Sequence, residues 1–183
     1  GASEHRSGQD QPTVLSVLDR TATAMGSRLL RDWLVRPLLD CDAIQARRDA
    51  VGELKDRIQQ RVSFRTTLRD VQDIARLSSR VTLGVAGPRE LLALKQSVSA
   101  LPELRSHLQP FGASLLASAR ESWDDCRDVH DMIEQAVKLD APMSLRDGGI
   151  IREGFHAGVD ELRKASTEGK GWIASLEAKE RER

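Results

Sequence analysis

The sequence predicts a mainly α-helical protein: a multi-helix core bundle with one short β-hairpin and a long C-terminal helix. Three observations carry that prediction. Apolar residues recur every three or four positions across most of the 183 residues, which is the period of one helix face. Strand-like runs are confined to the two sides of Asp147-Gly148, a dipeptide that tolerates the positive φ of a hairpin turn. From Val159 onward a seam with steps of three and four runs into a charged terminus with no stop signal.

Residues 1–12 are polar, without an initiating Met or an apolar period, and read as a disordered lead or a remnant of expression. Residues 13–157 form the expected helical core, with the hairpin near 143–154, and 158–183 the start of the long helix. Thr23 caps the first clear helix, whose face is Met25, Leu29, Leu30, Trp33 and Leu34; Pro37 forbids continuation past Arg36. Asp40 or Asp42 caps the next, with Ile44, Val51, Leu54 and Ile58 as its apolar positions. Ser63 opens a third helix with Phe64, Leu68, Val71, Ile74 and Leu77 on one face, stopping near Gly84. Gly87-Pro88 turns the chain and starts a fourth, with Leu91, Leu94 or Lys95, Val98 and Leu101, which ends at Pro102. Leu104 to Leu108 reads as no more than a short turn. Between Ala113 and Val137 the pattern is helical but interrupted, and Val129, Met132, Ile133 and Val137 make its clearest face. The last seam is Val159, Leu162, Ser166, Gly169, Ile173, Leu176 and Glu180, apolar at its ends and small or polar in its middle. A helix continuous from this seam to Arg183 would be about 38 Å long at roughly 1.5 Å per residue.

Composition narrows the function classes. Lys plus Arg and Asp plus Glu number 28 each, so no global field draws the chain to nucleic acid or to an anionic membrane, and any DNA contact has to be local. Apolar runs are too short for a membrane span or a signal peptide, which reads as a cytoplasmic protein with no membrane partner. Cys41 and Cys126 stand apart, without metal-ligand spacing, as two reduced thiols. Aromatic residues are 3% and Tyr is absent, which leaves few rings to stack on unpaired bases.

Motifs for chemistry are weak. Gly169-Lys170-Gly171 lacks both the Ser or Thr and the earlier Gly of a P-loop. His5, His107, His130 and His156 show no zinc or triad spacing, and Asp124, Asp125, Asp128 and Asp131 lack the loop glycine of a calcium site. No catalytic, cofactor-binding or metal-ligating residue is assigned. Arg57, Arg61, Arg65 and Arg69 recur every four residues and are the candidate DNA-phosphate contacts; the competing reading is a solvated face paired with carboxylates such as Asp56 and Asp70. Val159, Leu162, Ile173 and Leu176 are the candidate helix-pairing seam.

Four separated phrases give the chain a family likeness. They are Leu18-Asp-Arg-Thr-Ala-Thr-Ala-Met-Gly-Ser-Arg28 with Trp33-Leu34 and Pro37-Leu38; Ile44 through Arg47 or Arg48 to Ala50-Val51 and Glu53-Leu54; Asp73-Ile-Ala-Arg-Leu-Ser-Ser-Arg80 leading to Pro88-Arg-Glu-Leu91 and Leu101-Pro102; and Leu145-Arg-Asp-Gly-Gly-Ile150 with Gly154, Glu161-Leu162 and Glu180-Arg-Glu-Arg183. In this order they resemble the core domain of the MutS family of DNA mismatch-recognition proteins, from about residue 14 to the end. Ala24 departs from the pattern, since many relatives carry Pro there.

The resemblance implies a helical core and the first long lever helix, connecting mismatch-binding and clamp parts to an ATPase. It also implies what lies elsewhere in such a protein: ATP and Mg bound outside this region, mismatched double-stranded DNA and a MutL-type partner engaged by other domains, and a homodimer of the full-length chain. No Phe-x-Glu wedge, clamp or P-loop occurs here, so the fragment is expected to have neither ATPase activity nor a cofactor, and its end is expected to fall before the clamp. The alternative is a stand-alone helical module that binds a partner groove through its last helix. An enzyme assembled from dispersed Asp, His and Arg groups is a third reading, without a preferred reaction class.

Overall fold

The computed structural model describes residues 13–143 and 145–181, without the side chains of 174–176, 179 and 180. The expected lead, 1–12, lies outside the described residues. Ten α-helices are described: α1 (Val14–Leu18), α2 (Ala24–Val35), α3 (Cys41–Asp56), α4 (Ile58–Leu68), α5 (Ile74–Thr82), α6 (Pro88–Ser99), α7 (Leu101–His107), α8 (Ser114–Glu121), α9 (Arg127–Ala136) and α10 (Ala157–Arg181).

Local chemistry sets the first boundaries. Thr23 Oγ1 accepts the Gly26 N–H at the start of α2, and Asp40 accepts the Ala43 N–H at the start of α3, each satisfying a donor the helix leaves free. The Arg47 guanidinium lies 3.7 Å from the Trp33 ring centre and joins α3 to α2. The buried face of α3 differs from the expected one. Ala50 is buried while Ile44 and Val51 are exposed, because Arg47 is held on α2 and Glu53 reaches toward the start of α8, which fixes the rotation of the helix; Ile58, expected on the same helix, instead opens α4 and is exposed.

The expected third helix is two. Past Leu68 the N–H groups of Arg69, Asp70 and Val71 fall back three residues to Thr66, Thr67 and Leu68, a tightening that ends α4. Asp73 then caps α5 by accepting the Arg76 N–H, and the buried Ser97 hydroxyl takes the Gln72 N–H left in the gap. The segment 101–107 is likewise a helix rather than a turn: Pro102 sits in its first turn, where a missing N–H costs nothing, and Leu104 is only 1% exposed. Between α8 and α9 the interruption falls at Cys126, in the left-handed region with φ 48°. On α9, Ile133 is buried and Val129 packs against the core, but Met132 of the expected face is exposed.

The expected hairpin does not form. Leu145–Asp147 curls into a 3-10 turn, which consumes the residues of the would-be first strand, and Ser144 lies outside the described residues. Gly148 and Gly149 do take positive φ, 68° and 69°, as the turn chemistry requires. Yet Ile151 pairs, as an isolated antiparallel bridge, with Val137 at the end of α9. No strand occurs among the described residues.

Two clusters make the core. Leu77, Leu94, Val98, Ile133, Val137 and Ala141 join α5, α6 and α9. Val71, Ala100 and Leu104 join the α4–α5 gap to α7, with Met25, Phe64 and Trp123 against them. Burying a Leu or Ile in this way contributes about 1.5–3 kcal/mol each. The bundle is therefore firm around α5–α7 and α9, and α10 leaves it.

Candidate lever junction

A long projecting helix can act mechanically only if its root is fixed, so the root of α10 is the candidate site. Its 25 residues span about 37 Å at roughly 1.5 Å each. The His156 carbonyl accepts the Val159 and Asp160 N–H groups at 3.0 and 3.2 Å. Asp160, in the first turn where the helix dipole favours negative charge, accepts the Gly154 N–H at 2.8 Å. One turn on, Arg163 donates to the Ile151 carbonyl at 2.7 Å. Both contacts fold the connecting segment 150–156 onto the first turns of α10.

The same segment is tied to α9. Lys138 donates its N–H to the Ile150 carbonyl at 2.9 Å, and Arg152 donates its N–H to the Ala136 carbonyl at 2.8 Å. The Arg152 side chain adds two bonds, Nε to the Val137 carbonyl at 2.9 Å and Nη2 to Glu134 Oε1 at 2.8 Å. Glu134 Oε2 in turn meets Lys95 Nζ of α6 at 2.5 Å. The Lys95 side chain is only 12% exposed, a poor place for an unpaired charge. Its hydrogen bond and charge, followed by the charge of Arg152, hold the Glu134 carboxyl below the usual carboxylate range. One carboxylate thus links α6, α9 and the root of α10.

The seam lies on this arm. Val159 is half-buried and lines a shallow apolar cleft with Ile150, Ile151, Leu162 and Ser166. Leu162 is 73% exposed and Ile173 54%; the side chain of Leu176 lies outside the described residues. Beside the seam, Trp172 is exposed at 67%.

The arginine row is placed around α4 but is not one free surface. Arg57 forms the α3–α4 corner, 3.6 Å from Glu53 and 5.9 Å from the Phe111 ring centre. Arg61 donates to the Leu54 and Lys55 carbonyls, closing the end of α3, and Arg65 donates to the Arg20 carbonyl. Arg69 is exposed at the end of α4. Among the described residues the partners of the row are Glu53 and backbone carbonyls rather than Asp56 and Asp70.

Other groups singled out in the sequence have local partners. His107 Nε2 lies 3.2 Å from Thr67 Oγ1 and 3.4 Å from Glu103, bridging α4 and α7. His130 meets Asp131. Asp124 accepts the Cys126 N–H, and Asp125 pairs with Arg105. Cys41 and Cys126 are free thiols; burial and the surrounding aspartates push the Cys126 thiol up. No grouping of three or more His, Cys, Asp or Glu able to hold a metal occurs among the described residues, and no helix among them is long and apolar enough to cross a membrane.

Sequence reasoning passed over Lys95, Glu134, Arg152 and Arg163. Their pairings reach across 39, 18 and 12 residues, so no spacing signal announces them. The only available hint is Lys95 falling at an apolar position of α6.

Comparison with known proteins supplies the family. The family model for MutS domain III matches residues 2–183. The DNA mismatch repair protein MutS of Symbiobacterium thermophilum is 49% identical over 178 residues, which are 97% of this chain and 20% of that protein. The proteins of the same name from Alkaliphilus metalliredigens and Natronomonas pharaonis are each 44% identical, over 96% and 98% of this chain and 20% and 21% of their own lengths. The chain spans about one fifth of the length of these curated relatives.

Proposed function

Because the chain belongs to the MutS domain III family, we propose that it is the helical core and first lever of a mismatch-recognition protein, carrying conformational change between DNA-binding parts and an ATPase. On this reading α5–α7 and α9 are the fixed body and α10 is the arm. Mismatched duplex DNA, a MutL-type partner, a second copy of the full-length chain, and ATP with Mg engage other parts of such a protein, in the cytoplasm. The observation that supports the reading best is the contrast along α10: its first turns are bonded to the bundle through Gly154, Ile151 and Arg152, while the described residues from Lys164 to Ile173 are exposed throughout. A helix keeps its hydrogen bonds internal and carries a rotation along its length.

The exposed Leu162 and Ile173 also favour a second reading, a stand-alone module whose last helix enters a partner groove. For DNA itself, Arg57 and Arg69 have the more exposed ends of the arginine row and remain the candidates for phosphate contact, with Arg61 and Arg65 committed to carbonyls. Fluorescence anisotropy of this chain against matched and mismatched duplexes at two salt concentrations tests the main reading. The expected result is weak binding equal for both duplexes, weakened by salt and by Arg57→Glu with Arg69→Glu. A clear preference for the mismatched duplex would overturn it, because recognition would then reside here.

A further inference from the structure

Glu134, at the root of α10, touches two cations from different elements, Lys95 of α6 through Oε2 and Arg152 of the connecting segment through Oε1. Arg152 also bonds the segment to the end of α9, by its N–H and by Nε, beside the bond that the Ile150 carbonyl accepts from Lys138. Downstream stands Gly154 with φ 83°, a backbone conformation that favours glycine, two residues before the carbonyl that starts α10. A charged clamp, a glycine and a long exposed arm therefore follow one another within a few residues.

We infer that Glu134 is a latch that sets the direction in which α10 leaves the bundle, by holding Lys95 and Arg152 together on one carboxylate. The physical reason lies in what its removal leaves. Lys95 is largely enclosed and cannot turn to water at low cost. With the carboxylate neutralised, the Lys95 ammonium and the Arg152 guanidinium face each other across a site built for a negative charge, and like charges repel. Lys95 is held on α6 beside the core, whereas Arg152 lies in the connecting segment outside the helices, so Arg152 is the partner displaced. Its bonds to Ala136 and Val137 go with it, and the arm turns together with residues 151–154, which stay bonded to its first turns through Arg163 and Asp160. Leu77, Leu94 and Ile133 join α5, α6 and α9 by apolar contacts of their own.

The inference rests on the lever reading for its significance, but its test does not. Nitroxide labels at Ser99→Cys on α6 and Lys170→Cys on α10, both exposed positions, in a chain with Cys41→Ser and Cys126→Ala, report the arm by pulsed dipolar distance measurement. Labels at Ser99→Cys and Ser118→Cys report the bundle alone. Glu134→Gln is expected to broaden the arm distribution about two-fold while the bundle distribution stays unchanged. Lys95→Met added to Glu134→Gln is expected to restore the narrow arm distribution, since the repulsion is then gone. An arm unaffected by Glu134→Gln, a double variant as broad as the single one, or a bundle distribution that broadens as well would each overturn the latch. Because the measurement reads direction alone, a failed latch leaves the lever reading standing, and a mismatch preference in the anisotropy assay refutes the lever reading while leaving the latch intact.

Discussion

Replacing Leu104 by Ala tests whether the 101–107 segment is a core helix or a surface turn. Leu104 is 1% exposed and is packed in the cluster with Val71 and Ala100, against which Met25, Phe64, Leu68 and Trp123 close. The substitution removes about three methylene equivalents, which at ~0.8 kcal/mol each is ~2.4 kcal/mol of lost transfer free energy. The surrounding helices relax only in part, and the cavity left behind raises the loss to about 3–5 kcal/mol. With a urea m-value of ~2 kcal/mol/M, the midpoint followed by circular dichroism at the helix band falls by about 1.5–2.5 M. A surface turn gives a different result, because truncating an exposed Leu changes stability by about 0.5 kcal/mol at most. A midpoint shift under about 0.3 M would refute the placement of α7 in the core.

Two further expectations concern single carboxylates. Asp73, bonded to the Arg28 guanidinium and to the Arg76 N–H, has its pKa lowered to about 2; since the unfolded chain binds the proton more readily, its stabilisation is complete above the ordinary Asp pKa of about 3.9 and is lost as pH falls toward 2. The urea midpoint should therefore fall over that acid window, and Asp73→Asn, which keeps a helix cap, should flatten the fall; an equal slope in both proteins would show that Asp73 is not a source of the acid loss. Glu53 accepts the Gly112 N–H at 2.9 Å and the Ala113 N–H at 2.7 Å, so Glu53→Ala should speed hydrogen exchange at these two amides about ten-fold while α5 and α6 stay protected. Unchanged exchange would mean that water or another group holds the start of α8.

How far the sequence can be read depends on the range of the interaction. The caps at Thr23 and Asp40 and the stop at Pro37 act within four residues and were legible because their chemistry is local. Periodicity marked the bundle and the long last helix, but could not separate α4 from α5, since Leu68, Val71 and Ile74 keep a helical step across a gap that is closed by Ser97 from another helix. The hairpin expectation failed for a related reason: Gly148 and Gly149 supply the positive φ of a turn, but the partner of Ile151 is chosen by the end of α9, not by the residues before the turn. The arginine row is a true spacing in the chain, yet Arg61 and Arg65 were assigned their roles by the carbonyls of Leu54 and Arg20.

The sequence by itself determined the helical class, the starts of α2, α3 and α6, the long terminal helix and the family, because these follow from residue type at short separation and from four phrases in order. Only the tertiary structure decided which carboxylate holds the root of α10. Lys95, Glu134 and Arg152 meet across three elements, and a charge pairing at such separation has no period in the chain: it exists only once packing of α6 on α9 has brought the groups within reach of one another.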